Sequence, residues 1–162
     1  MERSNLTNEF LRIEEDCTVA SKAHFNACDR LGSINLILGV LAISGAGVAG
    51  AASSFNFVTL IVIASFVTGI SSALLTFLNP SECATRHKSA GNLLLTVKND
   101  ARLIRMSVGQ SSENDLKLES GLRELSSKKN TINSMSPQYS SDDLSKAKMG
   151  IRKGEANYEV DQ

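Results

Sequence analysis

The chain has 162 residues, the length of one ordinary domain, and 17 Lys and Arg balance 17 Asp and Glu, so no net charge draws it to nucleic acid. Its 42% hydrophobic content and mean hydropathy of -0.06 describe an average soluble protein, yet no charge occurs in the 51 residues between Arg30 and Glu82. That run exceeds any strand or core helix of a small domain, which argues against an ordinary soluble enzyme; with 5% aromatics and no Trp, the flanks also lack the apolar payload of an independent core.

Residues 1–30 read as an N-terminal cytoplasmic amphipathic helix, because Leu6, Phe10, Ile13, Cys17, Ala20, His24, Ala27 and Leu31 recur at alternating intervals of four and three. Glu14, Glu15 and Asp16 stand where a secretory signal would carry its apolar region. The uncharged run divides at Ser53-Ser54-Phe55-Asn56, a polar turn cluster, into residues 31–52 and 57–78. At ~1.5 Å rise per residue each half crosses a hydrocarbon layer of ~30 Å, giving transmembrane helices 1 and 2 with residues 53–56 as an extracytoplasmic turn. Open strands are excluded because unpaired backbone groups in lipid are too costly. Asn79-Pro80 biases the chain away from helical geometry as the second span ends.

Residues 79–108 read as a cytoplasmic helix whose seam is Cys83, His87, Ala90, Leu94, Val97, Ala101, Ile104 and Val108. Antiparallel packing on the first helix pairs Ala27 with Cys83, His24 with His87, Cys17 with Leu94 and Ile13 with Val97. With Ala, Cys and His at several seam positions, such a stalk is weak alone, and oligomerisation is expected to supply contacts. Residues 109–162 read as a C-terminal helical extension: Gly109 breaks the pattern, Leu118, Leu122, Leu125 and Ile132 mark a helix ending before Ser136-Pro137, and Ser-Ser-Asp-Asp opens a short one carrying Leu144, Ala147 and Ile151 and closing at Gly154. The expected fold is an all-α membrane protein, a two-transmembrane helical hairpin with an antiparallel cytoplasmic stalk and this extension.

Lys and Arg flank the run, with Arg12, Lys22 and Arg30 before it, Arg86, Lys88 and Lys98 after it, and none at the turn. The positive-inside rule then places both termini in the cytoplasm and the chain in the inner (plasma) membrane as a multi-pass protein, with lipid as its first partner. Cys17, Cys28 and Cys83 fall on the cytoplasmic side, where thiols stay reduced.

Gly45-Ala-Gly47-Val-Ala-Gly50 matches a dinucleotide-binding pattern, but it lies inside an apolar span and position 70 is Ile70 rather than an acid. A packing role explains the small residues better: Gly39, Ala42, Ala46 and Gly50 share one helical face and form a ridge for a neighbouring helix. Asn35, Ser65, Thr68, Ser72 and Thr76 are polar residues within the spans, and they either line an aqueous path made by several hairpins or bond across dry helix contacts. His24, Cys28, Cys83 and His87 give two i,i+4 donor pairs that match the ligand count of tetrahedral zinc, although the spacing resembles no established finger and half-buried seam residues are the plainer reading. Juxtamembrane Cys28 and Cys83 also suit lipidation. No catalytic constellation is visible, so no enzyme activity and no cofactor are expected.

Ala27-x-x-Arg30-Leu31-Gly32 entering the first span, two spans with a minimal turn, and Arg86-His87-Lys88 opening the next helix resemble the SLATT family, the SMODS- and SLOG-associating two-transmembrane effectors of bacterial conflict systems. Pro137, the short helix after it and the ending from Gly154 through Tyr158 to Asp161 are similar to subgroups with a cytoplasmic extension. The resemblance implies a homo-oligomeric pore-forming effector of antiviral defence, an ion channel held silent until a cytoplasmic sensor or nucleotide-signal-producing protein triggers it, whereupon the membrane depolarises. On that reading Arg30 and Arg86 sit at the inner mouth. The rival expectation is a non-conducting membrane anchor or scaffold that recruits a cytoplasmic partner.

Overall fold

The computed structural model describes residues 3–107 and 112–156; Val108, Gly109, Tyr158 and Asp161 lie outside them. Five helices follow in chain order: α1 (Arg3–Ser54), α2 (Val58–Leu78), α3 (Pro80–Ser107), α4 (Ser112–Met135) and α5 (Ser141–Arg152). The described residues contain no strand. Two stretches, ending at Ser54 and beginning at Val58, are long and apolar enough to cross a membrane.

The amphipathic segment and the first apolar segment are one helix, α1, because the change from charged to apolar side chains near Leu31 brings neither Pro nor a turn cluster, and backbone hydrogen bonding is indifferent to it. Ser53 and Ser54 stay helical. The break falls at Phe55-Asn56-Phe57, where Asn56 takes a left-handed φ of 58° that its short polar side chain tolerates. Asn79, with φ 40°, ends α2 in the same way. Its side chain then reaches into the next helix, Nδ2 donating to Glu82 Oε2 at 2.6 Å, and Pro80 occupies the first helical position of α3, where a missing N–H does no harm.

The chain divides into two compact units, Met1–Ala27 with Arg86–Gln162, and Cys28–Thr85. In the first unit the core comprises Leu6, Phe10, Ile13 and Cys17 from α1, Leu94, Val97 and Ala101 from α3, and Leu118 and Leu125 from α4. The weak two-helix seam expected from sequence is therefore covered within one chain, since α4 adds Leu118 and Leu125, with Leu122 and Ile132 packed against the cluster. Glu14 accepts two hydrogen bonds from Arg105, at 2.7 and 3.2 Å, in a bidentate pair tying α1 to α3, and Lys129 of α4 bonds Asp16 of α1.

The short α5 starts from a reciprocal cap: Ser140 Oγ accepts from the Asp143 amide at 3.2 Å, and Asp143 Oδ2 accepts from the Ser140 amide at 3.1 Å. Asn26 of α1 donates to the Asp143 carbonyl at 2.9 Å, Lys22 bonds Glu155, and Ala147 and Gly150 are buried. At Gly91 of α3 an added Cβ would stand 2.8 Å from the Phe25 ring of α1. Gly91→Leu is expected to displace that ring and lower stability by about 1–3 kcal/mol. Thermal unfolding of the full chain in detergent, compared with Gly32→Leu at a site with nothing within 4 Å, measures the difference.

Candidate functional site

In the unit Cys28–Thr85, backbones approach through small residues. A Cβ on Gly45 would lie 2.5 Å from Thr68 Oγ1 and 3.0 Å from the Ala64 carbonyl oxygen, and Thr68 Oγ1 donates to the Ala42 carbonyl at 3.3 Å. Gly45, Ala52, Ala64 and Ser71 are buried, with Asn35, Leu38, Ala42, Ala49, Ile61 and Leu75 partly so. On each helix these positions alternate intervals of three and four, the spacing of a packing seam.

Larger apolar side chains point away from that seam. Ile43 is 77% exposed, Phe66 68% and Phe77 86%, and Leu36, Ile37, Val40, Val58, Val62, Ile63 and Ile70 are exposed with them. Soluble monomers rarely present a contiguous apolar surface of more than a few hundred Å².

The polar positions expected from sequence separate into two groups. Thr68 is half-buried against α1, and Asn35 is partly buried, whereas Ser65, Ser72 and Thr76 are exposed, with Thr76 donating back to the Ser72 carbonyl at 2.9 Å. Ser71, which the sequence reading passed over, is the buried hydroxyl of α2; its interval of three from Thr68 was the available signal. The small-residue ridge separates likewise. Ala42 lies on the α1–α2 contact, but Gly39 and Gly50 have nothing within 4 Å of an added Cβ and Ala46 is exposed, so Gly45 makes the close approach. Arg30 and Arg86 are both exposed.

In the other unit the structure brings His24 and His87 together, Nδ1 to Nδ1 at 2.9 Å, both buried. At that distance the nitrogens share one proton; two imidazoles on a tetrahedral zinc would stand about 3.3 Å apart. Among the described residues no three His, Cys, Asp or Glu gather in metal-holding geometry, and the thiols of Cys28 and Cys83 are free and half-buried. Tyr139 packs edge-on against His24 with centroids 5.0 Å apart. Beside this pair lies a cavity of about 670 Å³ between α1, α4 and α5. Glu15, Asp16, Val19 and Ala20 form one wall, Lys129 and Asn133 another, and Tyr139, Leu144 and Lys148 a third, and the cleft opens to the surface where Glu15, Asn133 and Lys148 are exposed. Sequence reading missed this cavity because its walls come from segments more than a hundred residues apart.

Burial, with the neighbouring His87 adding to it, pushes the His24 imidazole down to about 4 from 6.5, so it is neutral at neutral pH. Burial likewise pushes the Cys17 thiol up to about 11, which keeps it unreactive. No protein-family model, curated protein or solved structure matches this chain.

The buried imidazole makes stability depend on pH. Between about 6.5 and 4 the unfolded chain holds a proton at His24 that the folded chain does not, so the contribution is complete above 6.5 and is lost as pH falls toward 4. Denaturant unfolding of the full chain in detergent from pH 7.5 to 4 should show stability falling across that window, with a shallower slope in His24→Gln.

Proposed function

We propose that the chain is a membrane-embedded, oligomeric pore-forming effector of a bacterial conflict system, spanning the inner membrane as a hairpin of residues 31–52 and 57–78 with both termini in the cytoplasm. The observation that carries the reading is the outward display of Leu, Ile, Val and Phe along two long helices in a stretch free of charge. Lipid solvates such a surface, and the helices satisfy their own backbone groups as the bilayer requires. Lys and Arg on both flanks and none at the turn support the orientation.

Two helices alone enclose no path, so conduction needs several copies. The α1–α2 contact leaves Gly39, Ala46 and Gly50 available to a neighbouring copy, and Ser65, Ser72 and Thr76 are exposed hydroxyls that a pore lumen would take up. The resemblance to SLATT effectors supplies the remainder: a trigger from a cytoplasmic sensor or a nucleotide-signal-producing protein, and depolarisation as the outcome. Such a trigger acts by binding one arrangement of the cytoplasmic helices more tightly than another. The Thr68–Ala42 hydrogen bond supports the alternative, a non-conducting anchor, because it commits one hydroxyl of the polar stripe to packing.

Two experiments test these statements. After cell lysis the chain should sediment with membranes and resist carbonate extraction, and the purified protein should pass ions across planar bilayers; a membrane-bound chain that carries no current under any trigger favours the anchor. Gly39→Leu and Gly50→Leu should keep the α1–α2 contact and reduce oligomer size by crosslinking in vesicles. Gly45→Leu should instead break the intrachain contact, where Thr68 and the Ala64 carbonyl block a side chain.

A further inference from the structure

We propose that the cavity between α1, α4 and α5 is a binding site for a small zwitterion with an apolar body, of the α-amino acid class. Its volume of about 670 Å³ falls within the ~300–1,000 Å³ common to small-molecule sites. The assignment is independent of the membrane reading, since every residue it uses belongs to the unit that carries the cavity.

The charges around the cavity segregate by sign. Both carboxylates, Glu15 and Asp16, come from α1, and both ammonium groups, Lys129 and Lys148, come from α4 and α5. Asp16 and Lys129 bond each other and close one pair across the cleft. Glu15 and Lys148 form no ion pair among the described residues. A concave site with an exposed carboxylate and an exposed ammonium outside any ion pair, on different walls, is complementary to a ligand that carries both signs. A lone anion would meet Lys148 but also face Glu15, and would compete with Asp16 for Lys129; a lone cation meets the converse problem.

The remaining lining suits the body of such a molecule. Val19, Ala20 and Leu144 offer apolar contact, and the amide of Asn133 adds hydrogen bonds without charge. His24 contributes in a specific way. Its Nδ1 is engaged with Nδ1 of His87, which leaves Nε2 as the nitrogen that the cavity can reach. With the shared proton on its own Nδ1 a neutral His24 presents Nε2 as an acceptor, and as the tautomer that accepts from His87 it presents Nε2–H as a donor, so the tautomer fixes which ligand group fits there. Because the cavity draws on three helices, a ligand that binds the folded chain also raises its stability by mass action.

Isothermal titration and thermal unfolding of the full chain in lipid nanodiscs, with leucine and phenylalanine as probes, test the assignment. Controls are 4-methylpentanoate and 3-phenylpropionate, which lack the amine; 3-methylbutylamine and phenethylamine, which lack the carboxylate; and inorganic phosphate. The amino acids should bind and raise the unfolding temperature, and each single-charge analogue should bind at least about tenfold more weakly. Glu15→Gln should bring amino-acid affinity down to that of the carboxylate alone, and Lys148→Gln to that of the amine alone. Both positions are exposed, so circular dichroism should show both variants folded as the parent. The proposal is overturned if no amino acid binds at millimolar concentration, if phosphate or a carboxylate alone binds as well, or if neither variant changes affinity. None of these results alters membrane sedimentation or bilayer current, so failure here is distinguishable from failure of the pore reading.

Discussion

Between Ile34 and Leu78 the residues that fill the cores of soluble proteins face outward, while the contact between helices passes through Ala42, Gly45, Ala64 and Thr68. The arrangement is physically coherent only where small residues let backbones approach and each helix satisfies its own peptide groups. Gly45 is the narrowest point, since the Ala64 carbonyl and the Thr68 hydroxyl occupy the space a side chain would take. The proposed membrane location follows from the environment that such a surface needs.

The other unit obeys the opposite rule. Its apolar side chains turn inward from α1, α3 and α4, and its polar groups are either at the surface or bonded: among the described residues no buried side-chain nitrogen or oxygen lacks a partner. Two polar features enter that core. Asp143 is buried because it closes the cap of α5, and His24 and His87 are buried because each answers the other. The cavity lies beside the second of these, where Tyr139 and α5 meet α1.

The two units differ in what they present: Cys28–Thr85 carries an exposed apolar surface, and the other a cavity, ion pairs between helices and a buried histidine pair. The Lys129–Asp16, Arg105–Glu14 and Lys22–Glu155 pairs each join segments distant in sequence, tying α4, α3 and the residues after α5 to α1. A continuous α1 contributes to both units.

Much of this was legible in the sequence because helical periodicity and the absence of charge are local properties. The all-helical class, the two long apolar helices and the seam positions Leu6, Phe10, Ile13 and Cys17 follow from spacing, and the meeting of His24 with His87 follows from antiparallel register once that spacing is read. Spacing does not say which of two neighbouring helical faces touches a partner. Gly39 and Gly45 stand on small-residue faces of comparable promise, and only the placement of Ala64 and Thr68 on α2 selects Gly45. The cavity was beyond sequence for a related reason: Asp16, Lys129 and Lys148 acquire meaning only when three helices converge, and convergence depends on the packing of whole side chains rather than on their order along the chain. Composition and period thus determined which elements form and which faces are apolar, while tertiary structure decided which faces meet, because contact geometry is set jointly by residues far apart in sequence.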